Sequence, residues 1–143
     1  MSSLTGATAV IQLQIAGLYD QPQQLQGFAA DDIFETEAIQ NVETLMGTDG
    51  YMSAGFVYVP KTMNISLQAD SPSNAIFDNW YSIQESQADV YFGNAVVVLR
   101  ALGQKWNLTR GVLQSYTPIP ATKKLIQPRK YGILWNLMSP APV

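Results

Sequence analysis

Residues 61–86 read Lys61-Thr-Met-Asn-Ile-Ser-Leu-Gln-Ala-Asp-Ser-Pro-Ser-Asn-Ala-Ile-Phe-Asp-Asn-Trp-Tyr-Ser-Ile-Gln-Glu-Ser86, and their pattern decides the fold. Met63, Ile65, Leu67 and Ala69 alternate with Thr62, Asn64, Ser66 and Gln68, the period-two signature of a half-buried strand. Ser71 then offers a hydroxyl to free backbone N–H groups, and Pro72 stands at a first helical position, where its missing N–H costs nothing. Ile76, Phe77, Trp80, Ile83 and Gln84 recur at three and four, leaving Asp78, Asn79, Ser82 and Glu85 outward. A one-faced helix following a one-faced strand is expected to cover a sheet.

Upstream, residues 31–50 read Asp31-Asp-Ile-Phe-Glu-Thr-Glu-Ala-Ile-Gln-Asn-Val-Glu-Thr-Leu-Met-Gly-Thr-Asp-Gly50. The run from Ile33 to Leu45 is assigned as one strand, with Glu35, Glu37 and Glu43 on one face and Phe34, Ala38 and Val42 on the other. Residues 47–60 are expected to form a protruding loop, more apolar than solvent favours. Asp49, Tyr51, Met52, Phe56 and Tyr58 either dock on a neighbouring molecule or fold back over their own core.

Further strands are expected at Ala7–Ala16 and Gln23–Phe28, with Gly17 and Asp20-Gln-Pro22 between them. Others follow at Ala95–Leu102 and Lys105–Tyr116, joined by a two-residue turn at Gly103-Gln104, and at Lys130–Met138, before an extended tail at 139–143. Residues 123–128 read as a basic linker. Seven or so strands and one mid-chain helix in 143 residues give a single mainly β, α+β domain, a sandwich or partly closed barrel.

Charge is scarce and polarised. Only 13% of residues are Asp, Glu, Lys or Arg, which suits either a subunit covered on several sides or a monomer coated in Gln, Asn and Ser. Residues 1–60 hold seven acids and no Lys or Arg, whereas residues 90–143 hold seven cations and no acid. Such ends can pair within the chain or join copies head to tail. The set Lys123, Lys124, Arg129 and Lys130 is accordingly a candidate interface patch for acidic neighbours.

Chemistry is poorly provided for. With no Cys and no His, thiolate chemistry and the commonest general base and metal ligand are missing. Asp31 with Asp32, or Glu35 with Glu37, can be drawn as an acid–base pair, but no partner group of another kind stands nearby in sequence. No enzyme activity and no cofactor is expected. Neither a secretory leader nor an apolar run of about 20 residues is seen, so membrane association is not expected, and the glycosylation patterns at Asn64 and Asn107 carry no weight.

In order, Gly27-Phe-Ala-Ala-Asp31, an acidic strand, Gly47-Thr-Asp-Gly50, a strand ending Leu67-Gln68 and Ser71-Pro-Ser-Asn74 opening a helix resemble the phage tail tube proteins, in particular the short tube subunits of contractile-tailed phages. The aromatic run at residues 51–60 departs from that pattern. The resemblance implies homohexameric rings stacked into a hollow tube for DNA ejection, inner strands forming a barrel around the lumen, and the helix outside it. It implies tail sheath, tape-measure, baseplate and tail-terminator proteins as partners, and a virion tail assembled in the host cytoplasm. On that reading Glu35, Glu37, Glu43, Asn64, Ser66 and Gln68 face the lumen, where acids and amides repel phosphate and let DNA slide. A tailocin or secretion-system tube fits equally. A rival of another class is a monomeric barrel holding a ligand among Trp80, Trp106 and Trp135.

Overall fold

The computed structural model describes residues 9–28 and 34–142. Among the described residues nine strands and one α-helix follow one another: β1 Ala9–Ile15, β2 Tyr19–Gln24, β3 Phe34–Thr36, β4 Val42–Met46, β5 Met52–Phe56, β6 Lys61–Leu67, α1 Asn74–Gln87, β7 Gly93–Leu99, β8 Gln104–Tyr116 and β9 Arg129–Pro142. Seven strands form one antiparallel sheet in the order β2-β1-β7-β8-β9-β6-β3, while β4 and β5 pair only with each other. The fold is mainly β with one helix, as the alternating patterns predict.

Each alternating set supplies one wall of the core. Ile11, Leu13 and Ile15 from β1, Met63, Ile65 and Leu67 from β6, and Tyr131, Ile133 and Trp135 from β9 are almost fully buried in a single cluster. What rolls the sheet is the segment after β2. The Leu25 N–H donates to the Ile11 carbonyl at 2.9 Å, and the Gln68 N–H donates to the Gly27 carbonyl at 2.8 Å. Phe28 bridges to Leu67. One short segment thus bonds β1 on one side and the end of β6 on the other, closing the barrel at that end.

The helix plugs the closed end. Phe77 stacks on Tyr131 at 4.2 Å between ring centroids, and Ile76, Phe77 and Trp80 are buried, each worth about 1.5–3 kcal/mol relative to exposure. Polar groups buried around the helix are matched: the Tyr131 hydroxyl donates to Asn74 Oδ1 at 2.8 Å, Asn74 Nδ2 donates to the Gln68 carbonyl at 2.9 Å, and Trp80 Nε1 donates to the Tyr91 carbonyl at 2.8 Å, whereas Trp135 Nε1, also buried in the core, has no partner among the described residues. Ser71 accepts from the Ser73 N–H at 3.2 Å, but it is not the helix cap and Pro72 is not the first helical residue: the cap position is Ser73 and α1 starts at Asn74, because Ser71 and Ser73 are committed to the Gln26 backbone. Ser71 Oγ also donates to the Gln26 carbonyl, and Ser73 Oγ accepts from the Gln26 N–H at 2.8 Å. Gly27 has φ +70°, and a Cβ there would lie 2.6 Å from that of Ser71, so the clasp needs glycine.

Several expectations need correction. β2 starts at Tyr19 rather than Gln23, because the turn is made at residues 16–18, with Gly17 at φ +83°. Pro22 is tolerated in β2 because that strand is an edge. The β7–β8 connection is a 3-10 turn, Arg100–Leu102, ending in left-handed Gly103, rather than a two-residue hairpin. Residues 139–142 belong to β9 and pair with Gln104–Asn107. Asp31 and Asp32 lie outside the described residues.

The basic patch also divides. Arg129 is buried: its guanidinium bonds Asp78 Oδ1 at 2.7 Å and the Thr117 carbonyl at 2.9 Å, and Tyr116, stacked on Tyr81, donates its hydroxyl to Asp78. Burial raises the Asp78 carboxyl, but the hydrogen bonds from Arg129 and Tyr116, with the guanidinium charge, outweigh it and hold Asp78 below the usual carboxylate range. A depressed native pKa gives stability present above the unfolded pKa of about 4 and lost as pH falls through the native value. Asp78 is half-exposed, which limits its worth, so Asp78→Asn is expected to cost ~1–2 kcal/mol at pH 7. Urea melts at pH 7 and pH 2.5 check this, the difference from wild type shrinking at the lower pH. In the core, a Cβ on Gly111 would lie 2.4 Å from the Trp135 ring, so Gly111→Ala is expected to lower the urea midpoint by the equivalent of ~2–3 kcal/mol.

Candidate functional site

The feature that the rest of the described residues leave uncovered is the hairpin of β4 and β5. β3 ends where its partner ends: Thr36 pairs with Met63, the Glu37 N–H donates to the Thr62 carbonyl at 3.2 Å, and β6 begins at Lys61. With no strand left to pair, the chain leaves the barrel and finds a new partner in its own returning segment. The single strand expected over Ile33–Leu45 is therefore two strands in two sheets, and Glu43 does not share a face with Glu35 and Glu37.

The hairpin turn is tightly built. The Gly47 N–H donates to the Tyr51 carbonyl at 2.7 Å, the Tyr51 N–H donates to Asp49 Oδ1 at 3.1 Å, and Gly50 takes φ +88°. Past the turn, Val42 is opposite Phe56, Thr44 opposite Ala54 and Met46 opposite Met52. Side chains directly opposite share a face, so Val42, Met46, Met52, Ala54 and Phe56 form an apolar ladder, with Glu43 and Leu45 on the reverse. All ten strand residues are exposed. Leu45 is 73% exposed and Tyr51 at the tip 78%. At the root, Phe56 meets Tyr58 edge to face at 4.9 Å, and Tyr58 is 93% exposed. The expected loop at 47–60 is thus the second half of a longer arm, and its aromatic residues do not fold back over the barrel.

A two-stranded ribbon is marginal alone, and an exposed apolar sheet face is a site for association. The sequence points to the aromatic half of the arm but misses Val42 and Leu45, which the Ile33–Leu45 strand assignment absorbs, and Met46, which it leaves unassigned.

The other candidate residues scatter. Glu35 is opposite Asn64, Asn64 opposite Gly132, and Ser66 opposite Lys130, so Glu35, Asn64, Ser66 and Lys130 share the sheet face that points away from the core. Ser66 is nonetheless buried, and Gln68 lies beyond the end of β6. Lys123 and Lys124 are exposed on the loop between β8 and β9, among exposed Ile119, Leu125 and Ile126. The three tryptophans are not gathered round one cavity. Trp80 and Trp135 are fully buried in the core, whereas Trp106 lines an apolar cleft of about 360 Å³ at the barrel's other end, with Phe34, Ile39, Leu99 and Met138.

Solved structures give the fold a context. The chain aligns over 99% of its length with 98% of a chain in the cryo-EM structure of the sheath/tube terminator of an extracellular contractile injection system, PVC, in the extended state, at 10% identity and TM-score 0.60. It aligns over its full length with 93% of a chain in the anti-feeding prophage tube-terminating cap, at 13% identity and TM-score 0.59. A chain of the anti-feeding prophage baseplate is covered to 99% by the whole of this one, at 12% identity and TM-score 0.57. These likenesses are of fold. No curated protein matches. The family described as tail fiber protein gp32 matches residues 2–139. The match spans nearly the whole sequence, and the chain belongs to the tail fiber protein gp32 family, a family of tail components.

Proposed function

We propose that this protein is a structural subunit whose copies assemble into rings that stack as the tube of a phage tail or related contractile particle, with no catalytic role. The observation that carries this reading is the arm: an exposed apolar ladder that pairs only within its own ribbon among the described residues. Val42, Met46, Met52 and Phe56 are each a little over half exposed, so covering them contributes up to about 1–2 kcal/mol each against the cost of docking. The opposed charges of the two ends and the short edge strands β2 and β3 support the same reading, since edges that invite aggregation in a monomer are consumed when a ring closes. Hexamers, a surrounding sheath and a DNA-conducting lumen belong to this proposal.

Because the fold is shared with chains in terminator, cap and baseplate structures, a closing ring at one end of the tube is the second reading. Negative-stain microscopy of the purified chain at rising concentration separates them. Hollow rods support the tube, annuli alone support an end ring, and single compact particles at every concentration contradict both. Replacing residues 42–57 by a short Gly-Ser link is expected to abolish rods and annuli while leaving a folded barrel by circular dichroism. If Glu35 and Glu37 face a DNA channel, Glu35→Lys with Glu37→Lys is expected to leave tubes intact and slow genome ejection; ejection at the normal rate removes the lumen assignment.

A further inference from the structure

We propose that the arm of one copy docks on the loop formed by residues 117–128 of the next, so that subunits join head to tail. This deepens the assembly reading and rests on it. The arm and the loop leave the barrel at opposite ends of one strand pair. The arm returns to the barrel at Pro60, beside Lys61, which is opposite Trp135, whereas the loop joins β9 at Arg129, which is opposite Leu67. That separation is roughly 20 Å of strand at ~3.3 Å per residue. A contact that propagates needs two different patches set apart on the subunit, and these two join the barrel at opposite ends of the β6–β9 pair.

Their surfaces match in character and oppose in charge. Between residues 37 and 58 the charged residues are Glu37, Glu43 and Asp49, all acidic; between 117 and 128 they are Lys123 and Lys124, both basic. Each segment also exposes apolar side chains: Val42, Met46, Met52 and Phe56 on the arm, Ile119, Leu125 and Ile126 on the loop. The loop is held ready. Thr122 bridges to Ile126, the Gln127 N–H donates to the Ala121 carbonyl at 2.9 Å, and Pro118, Pro120 and Pro128 restrict its backbone, so little ordering cost remains at docking. The apolar cleft beside Trp106 is a poorer receptor, because Ile39 at the arm's own root forms part of its wall.

The chain has no cysteine, which makes covalent capture clean. With Thr48→Cys at the arm tip and Ala121→Cys on the loop in the same chain, mild oxidation of assembled protein is expected to give a ladder of dimers, trimers and higher multimers on denaturing gels. Either substitution alone is expected to give no ladder. In parallel, Lys123→Glu with Lys124→Glu is expected to raise the concentration for half-assembly about tenfold, and adding Glu43→Lys with Asp49→Lys to that chain to restore it. Particles that assemble as the unmodified chain does, but give no ladder and ignore charge reversal, overturn the arm-to-loop contact and leave the assembly reading standing. An unmodified chain that never assembles overturns both. Circular dichroism confirms that each variant is folded, all six positions being exposed.

Discussion

The barrel depends on one clasp. Gln26 and Gly27 lie between β1, the end of β6 and the start of α1, and their backbone groups are matched by Ser71, Ser73 and Gln68. Without that segment the sheet would keep two distant free edges and the helix would have no fixed seat. With it, Phe77 settles on Tyr131, the Asn74 amide joins the helix start to β9, and the core closes around Trp80 and Trp135. A Cβ at Gly27 would press on Ser71, so the tightest point of the fold is also the point that turns a sheet into a barrel.

A barrel closed at one end by the clasp makes the arm meaningful. The ribbon leaves the sheet where β6 has no more backbone to offer, so pairing exhaustion, rather than a turn signal, sends it outward. Among the described residues nothing covers its apolar ladder, which is the surface that the proposed assembly uses. The acid-rich first half of the chain forms the arm, and the cation-rich final third supplies the loop at the opposite end. The net charge of −3 conceals this dipolar arrangement, and a low overall charge is what a repeatedly covered subunit would carry.

What was legible in the sequence was whatever local pattern decides. The alternation in β1, β6 and β9 survives because each strand buries one face, and a helix after Ser71-Pro-Ser-Asn was legible locally, although it is capped at Ser73 rather than at Ser71. What was not legible depends on distant partners. The break between β3 and β4 follows from where β6 begins, some 20 residues on. Arg129 looked like part of a surface patch because Asp78, which draws it into the interior, lies 51 residues earlier. At Arg110, φ is +52° within β8, its N–H meeting Asn94 Oδ1 at 3.0 Å and its guanidinium lying 3.9 Å from the Phe92 ring centroid. That irregularity has no signature in the residues around it. The candidate site was half visible: aromatic residues in a loop announced something to dock, but the ladder required knowing which residues stand opposite one another.

Hydrogen exchange of the backbone amides from Val42 to Phe56, followed as protein concentration rises, tests most directly whether the arm is covered only by other molecules. The account predicts that these amides exchange quickly in dilute protein and become protected together as particles form, while those of β1, β7 and β8 stay protected throughout. Arm amides equally protected at all concentrations would mean that the ribbon is covered within its own chain, and would contradict it.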